Sequence, residues 1–172
     1  MKMNSLIIDN LAFAKKHERA EGDISALTLS RLSEMLNVNS NDVQSESTIH
    51  YLLKGSVDAA GRHYLHLEIT ASLFVDCQRC LNEMPINLSL AFNYLIGEQC
   101  VGEVDINELD ENDDFDLQPA SSSMNVAELI EDELLMAMPI APTHSENCVV
   151  EKMQSGEKPN PFAVLKGLIK PE

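Results

Sequence analysis

Two thiols three residues apart, Cys77 and Cys80, have the clearest chemical content in this chain. On a tight turn, side chains at that spacing converge, and two thiolates can share one cation, as in zinc knuckles and ribbons. A second pair lies far downstream: His144 and Cys148, four apart in the stretch HSENC. Together the four residues supply three sulfurs and one imidazole nitrogen. That is a closed, tetrahedral, structural set, and Zn2+ is the ion it suits. A metal held there would tie the Cys77–Cys80 turn to the C-terminal part of the chain. Two other readings of the same residues stand beside it. Cys-x-x-Cys pairs also carry out thiol–disulfide exchange, but at helix N-termini, where the dipole lowers a thiol pKa, and here the flanks read as strands. Alternatively, the cysteines are small buried residues with a surface histidine nearby. Cys100 reads as an inert spare thiol. The sequence holds no G-x-S-x-G elbow, no H-E-x-x-H and no Walker loop. The adjacent acids Glu131, Asp132 and Glu133 read as the polar face of a helix. A nuclease would need metal-binding acids clustered on rigid elements. The chain therefore reads as a binding protein and not an enzyme.

The elements that must position these residues are visible as periodicities. From Leu65 the odd positions Leu65, Leu67, Ile69, Ala71, Leu73 and Val75 are apolar, while His66, Glu68, Thr70 and Ser72 alternate with them. Period two means a strand with one buried and one wet face. Val43 to Val57 has the same character, with Ile49, Tyr51 and Leu53 alternating, and Asp58-Ala59-Ala60-Gly61 suits the connecting hairpin. After Cys80 the alternation resumes at Met84, Ile86, Leu88, Leu90, Phe92 and Tyr94. The sequence thus predicts an antiparallel meander with the Cys-x-x-Cys at its second turn. Around it, Ser5 to Asp9 reads as a short strand. Asn10 caps a brief helix over Leu11 to Ala20, and Gly22 interrupts. Ser25 caps a second helix, Ala26 to Leu36, with Leu29, Leu32 and Leu36 on one face. Asn125 followed by Glu128 resembles a capping box that opens a helix over Val126 to Met138, with Val126, Leu129, Ile130, Leu134 and Ala137 facing inward, and Pro139 stops it. Met136 and Met138 read as core and helix-end filler, and His66 as a solvated residue of the wet face. The expected fold is α+β: an antiparallel sheet, curled towards a barrel, packed with two or three helices. Residues 1–150 form one domain, residues 97–123 an acidic mobile loop with a short strand at Val104 to Leu109, and residues 151–172 a Pro-containing tail.

Charge is segregated. The chain of 172 residues has 12 Lys+Arg against 28 Asp+Glu, a net charge of −16. The stretch from Cys80 to Glu151 holds 16 of those acids and no Lys or Arg, and the rest of the chain is balanced. Such a field repels phosphate and attracts a basic partner. The plainer reading of a charge run is a solvated segment that aids solubility. Hydrophobic residues make up 44% of the chain and aromatics only 5%, so a core is expected to be built from Leu, Ile, Val and Met. No apolar run approaches the ~20 residues a membrane helix needs, and Met1 to Ala20 lacks the pattern of a signal peptide. A cytoplasmic protein without a disulfide framework is expected.

Three segments together carry a resemblance. DCQRCL (Asp76 to Leu81), EDELLMAMPIAPTH (Glu131 to His144) ending in Cys148, and the tail KPNPFAVLKGL (Lys158 to Leu168) resemble the YceD family, whose proteins are called large ribosomal RNA subunit accumulation proteins. The resemblance covers much of the chain from about Ala71 onward. It implies a bacterial, cytoplasmic, non-enzymatic factor in the synthesis, processing or stability of large-subunit (23S) ribosomal RNA. Many relatives carry extra cysteines near the second pair, where this chain offers His144 and Cys148. Taken with the charge segregation, the expected partner is a basic ribosomal protein or assembly factor of the large subunit, held by the acidic segment through residues such as Asp110, Asp113, Asp114 and Asp116. The alternative partner is pre-rRNA, met by Lys54, Arg62, Arg79, Lys158, Lys166 and Lys170. In the tail, Asn160, Pro161 and Phe162 contact a partner, or Pro161, Phe162 and Leu165 dock on the domain itself.

Overall fold

The computed structural model describes residues 7–36, 47–97, 115–144 and Cys148. The period-two alternation becomes the centre of a five-stranded sheet. Its strands are β2 (Arg19–Ser25), β3 (Thr48–Val57), β4 (His63–Asp76), β5 (Glu83–Gly97) and β6 (Asp116–Pro119), lying side by side in that order. The first four pair antiparallel, and β6 runs parallel to the end of β5. Two short strands, β1 (Ile7–Ile8) and β7 (Met124–Asn125), pair antiparallel in a second, two-stranded sheet. The helices are α1 (Asn10–Lys15), α2 (Ser30–Ser33) and α3 (Val126–Ala137), with a 3-10 turn at Ala26–Thr28 before α2.

The core follows from register. Leu53, Leu67 and Phe92 stand side by side on one face, as do Ile49, Ala71 and Leu88. Leu65, Leu67, Ile69, Ala71, Leu73 and Val75 are all buried, and the inward residues Ile130 and Leu134 of α3 join the same cluster. α1 crosses the other end of the sheet, where Gly55 leaves room for it. A Cβ on Gly55 would lie 2.6 Å from the Phe13 carbonyl oxygen and 2.7 Å from the Ala14 Cα. The first hairpin turn is held by Asp58, whose Oδ1 accepts from the N–H groups of Ala60 and Arg62, and by Gly61 at φ +81°.

The α+β class, the meander and α3 with its Asn125 cap match the expectations from the sequence. Asn125 Oδ1 accepts from the Ala127 N–H at 3.1 Å. Other expectations are corrected. The sheet is open and not closed into a barrel, since β2 and β6 are its two ends. The helix expected over Leu11 to Ala20 stops at Lys15, because His17 takes a left-handed backbone (φ 52°) and Arg19 and Ala20 enter β2. Its cap is Asp9, whose Oδ1 accepts from the Ala12 N–H at 2.8 Å. Asn10 is instead buried, donating to the Pro119 carbonyl and accepting from the Ser121 N–H. Gly22 lies inside β2, against the ring of Tyr51. The helix expected over Ala26 to Leu36 is a 3-10 turn and one short α-turn, and Ser25 makes no side-chain cap. Leu29, Leu32 and Leu36 are nonetheless buried. Met138 is buried, but Met136 is 82% exposed. His66 is not simply solvated: its ring nitrogens meet Asn93 and Ser56, and it stacks on Tyr64. Of residues 97–123, the later part forms β6, while the strand expected at Val104 to Leu109 lies outside the described residues, as do Val43–Gln44 and Cys100. Among the described residues no helix is long and apolar enough to cross a membrane.

Candidate metal centre

The Cys77–Asn82 turn joins β4 to β5. The Cys77 N–H donates to the Asn82 carbonyl, and the Leu81 N–H donates back to the Cys77 carbonyl, each at 2.9 Å. Closing the turn this tightly puts Leu81 in the left-handed region at φ 60°, a conformation uncommon for a branched apolar residue. The Arg79 N–H points at Cys77 Sγ, 3.4 Å away.

The segment after α3 is fastened to this turn. The Gln78 N–H donates to the Pro142 carbonyl at 2.8 Å, and Arg79 Nη2 donates to the His144 carbonyl at 3.0 Å. These bonds bring the two distant pairs together. Cys77 Sγ lies 3.6 Å from Cys148 Sγ, and Cys80 Sγ lies 3.5 Å from His144 Nδ1. The four donor atoms all lie within 4.8 Å of one another. Tetrahedral zinc, with bonds of about 2.3 Å to sulfur and about 2.0 Å to nitrogen, sets sulfur–sulfur edges of about 3.8 Å and sulfur–nitrogen edges of about 3.5 Å. The two measured edges fit that size, so the set could hold a metal ion.

Its electrostatics are uneven. Burial pushes the Cys77 thiol up, but the N–H groups of Cys80, His144 and Arg79, with the Cys148 thiol, outweigh it and hold Cys77 at about 5. The surrounding N–H groups thus favour the thiolate form of Cys77. The hydrogen bond with Cys80, burial and the neighbouring Cys77 push Cys148 up to about 11. A cation entering here would take over the role of the shared protons.

Sequence reasoning named all four donors but none of their supports. Gln78 and Pro142 act through backbone groups, which leave no side-chain signature. A second support was also missed. Glu131, expected on a polar helix face, is buried. Its Oε1 accepts from the N–H groups of Arg31 and Leu32, and its Oε2 accepts from the Arg31 guanidinium at 3.0 and 3.2 Å. Asp132 takes the other side of Arg31 at 2.6 Å. This clamp fixes α3, and hence the segment that carries His144, to α2. Tyr94 of β5 adds a further tie by donating to Glu133 at 2.7 Å.

The remaining candidates scatter. Asp116 is exposed at the start of β6. Asp110, Asp113, Asp114, Asn160, Pro161, Phe162, Leu165, Lys158, Lys166 and Lys170 lie outside the described residues. The described members of the RNA-contact set are engaged within the fold: Lys54 with Glu68, Arg62 with Asp58, and Arg79 with the His144 carbonyl.

Comparison with known proteins follows the same region. A family model described as "Large ribosomal RNA subunit accumulation protein YceD" matches residues 65–169, from the central strand through the candidate metal centre into the C-terminal segment. The chain belongs to the YceD family. A curated YceD relative from Haemophilus influenzae, named a large ribosomal RNA subunit accumulation protein, is 26% identical over 173 residues, covering 95% of this chain and 94% of the relative. The YceD match therefore extends, at low identity, over the N-terminal strands and α1 as well. No solved structure matches the chain. The YceD description speaks of RNA accumulation and names no reaction.

Proposed function

We propose that this YceD-family chain supports accumulation of large-subunit (23S) ribosomal RNA without catalysing a reaction, by holding a basic ribosomal protein or assembly factor through its acidic segment. The observation that carries this reading is the charge segregation. Residues 98–114 hold eight acids and no Lys or Arg, a composition suited to cationic polypeptide and hostile to phosphate. The engagement of Lys54, Arg62 and Arg79 with internal partners supports it against direct RNA binding. In this reading Cys77, Cys80, His144 and Cys148 hold a structural Zn2+. The ion would supply a cross-link and no chemistry, because four protein ligands leave no position for water or substrate.

The test is sedimentation of the full chain with large-subunit precursors from cells, followed by identification of the bound protein and RNA. Changing Asp110, Asp113 and Asp114 together to Asn is expected to weaken association at least tenfold. Unchanged association, or tight capture of protein-free transcript by the neutralised chain, would sink the proposal.

A further inference from the structure

Among the described residues β5 is paired all the way from Glu83 to Ile96 on one side only, by β4. Its other neighbour, β6, pairs with Tyr94–Gly97 alone. From Ile86 to Asn93 the far edge has no partner among the described residues. Two observations fix which groups face outward. The Gly97 carbonyl accepts from the Ala120 N–H at 2.9 Å, on the β6 side. The β4–β5 register is unbroken from His63↔Ile96 to Asp76↔Glu83. Backbone direction alternates along a strand, so every odd position of β5 faces as Gly97 does. Asn87, Ser89, Ala91 and Asn93 therefore turn both N–H and C=O to the open edge. Pro85 falls in the same set, where a residue without an N–H removes nothing from the β4 ladder.

An open edge is usually blunted by charged side chains or covered. Ile86–Asn93 (INLSLAFN) carries no charged residue. On the helix side of this edge Leu88, Leu90 and Phe92 are only half-buried. α3 turns Glu133 towards β5 through Tyr94, and Met136, one turn further along α3, is exposed. The edge thus has backbone donors and acceptors, an apolar strip at every second position and, among the described residues, no strand or charged side chain of its own to block a visiting strand. The chain that leaves β5 at Gly97 enters the segment holding eight acids and no base, and it returns at Phe115 beside the same end.

We propose that Ile86–Asn93 is a strand-addition site for an extended cationic segment of a protein partner. The visiting segment adds to β5 through Asn87, Ser89, Ala91 and Asn93 and packs alternate apolar side chains on Leu88, Leu90 and Phe92. Its lysines or arginines sit at the end nearest Gly97, where the sequence continues into the eight acids. The inference rests on the basic-partner reading above and adds to it the place and the backbone mode of binding.

The experiment uses the full chain and a synthetic peptide of alternating Ile/Val and Thr with three lysines at one end, made in both orientations. Residue-resolved amide exchange is expected to show Asn87, Ser89, Ala91 and Asn93 fast in the free protein and at least tenfold slower with one of the peptides bound. N-methylation of alternate peptide amides and Ser89→Pro should each weaken binding at least tenfold. Met136→Lys, at an exposed position, should weaken it severalfold without lowering Tm. Equal binding of the N-methylated peptides overturns the proposal, and so does slow exchange of those four amides in the free chain, which would mean that the chain's own segment or a second copy holds the edge. Protection confined to residues 98–114 removes the strand site while leaving the acidic-segment reading intact. Equal binding after lysine-to-serine replacement in the peptide removes the cationic occupant.

Discussion

Glu131 caps a helix turn it does not belong to: its carboxylate accepts the Leu32 N–H at 3.1 Å across 99 residues of sequence. The first N–H groups of any helix lack partners within it, and a nearby side chain usually satisfies them. Here the acceptor comes from α3. α2 is four residues long and could not stand alone, so its conformation depends on this contact and on the burial of Leu32.

Replacing Glu131 with Ala orphans the Arg31 and Leu32 N–H groups and should cost about 3 kcal/mol. Glu131→Gln, which keeps one acceptor, should cost less. Burial pushes the Glu131 carboxyl up, but the N–H groups of Leu32 and Arg31 and the Arg31 side chain pull it down further, to a net value below the ordinary 4.5. Its contribution is therefore full above pH ~5 and fades as acid passes the ordinary value and then the lowered one. Thermal melts against pH should show wild type and Glu131→Gln converging at low pH. Parallel curves would contradict the assignment.

Gly55→Ala should destabilise by about 3 kcal/mol, because the new methyl meets the α1 backbone and not a pliant side chain. Gly97→Ala is the control, since a Cβ there meets nothing within 4 Å. Urea unfolding of both variants checks the contrast, and equal midpoints would refute the close approach of α1.

Protein purified without chelator should carry one zinc per chain by elemental analysis, and Cys77→Ser should lose it. Stripping the metal should lower Tm by roughly 10 °C, which is about 3 kcal/mol for a chain of this size. The surroundings lower the Cys77 thiol and raise that of Cys148, and zinc binds cysteine as thiolate. Returning zinc to the stripped protein should therefore release protons, and fewer from Cys148→Ser. A metal-free protein whose Tm ignores Cys77→Ser would remove the centre.

The long strands and α3 were legible because each repeats one period over many residues. β2 was not. Its inward residues are Ala20, Gly22 and Ile24, and the first two are too small to mark a buried face. β6 has four residues and forms by pairing with β5, a tertiary effect with no local pattern. The four metal-donor candidates were visible as residue types. Their meeting was not, because it depends on the Gln78 N–H reaching the Pro142 carbonyl. Glu131 was misread because its helix position sits beside the apolar stripe, and only the arrival of α2 turns that border into an interior.

The parallel pairing of β5 with β6 sets Tyr94 opposite Asp116 and Gly97 opposite Pro119. Chain therefore departs and re-enters at two stations about 10 Å apart, whatever runs between them. Doubling the length of such an excursion costs only about 0.6 kcal/mol. Changes of length or charge between Gly97 and Phe115 are therefore expected to leave the β5–β6 register as it is.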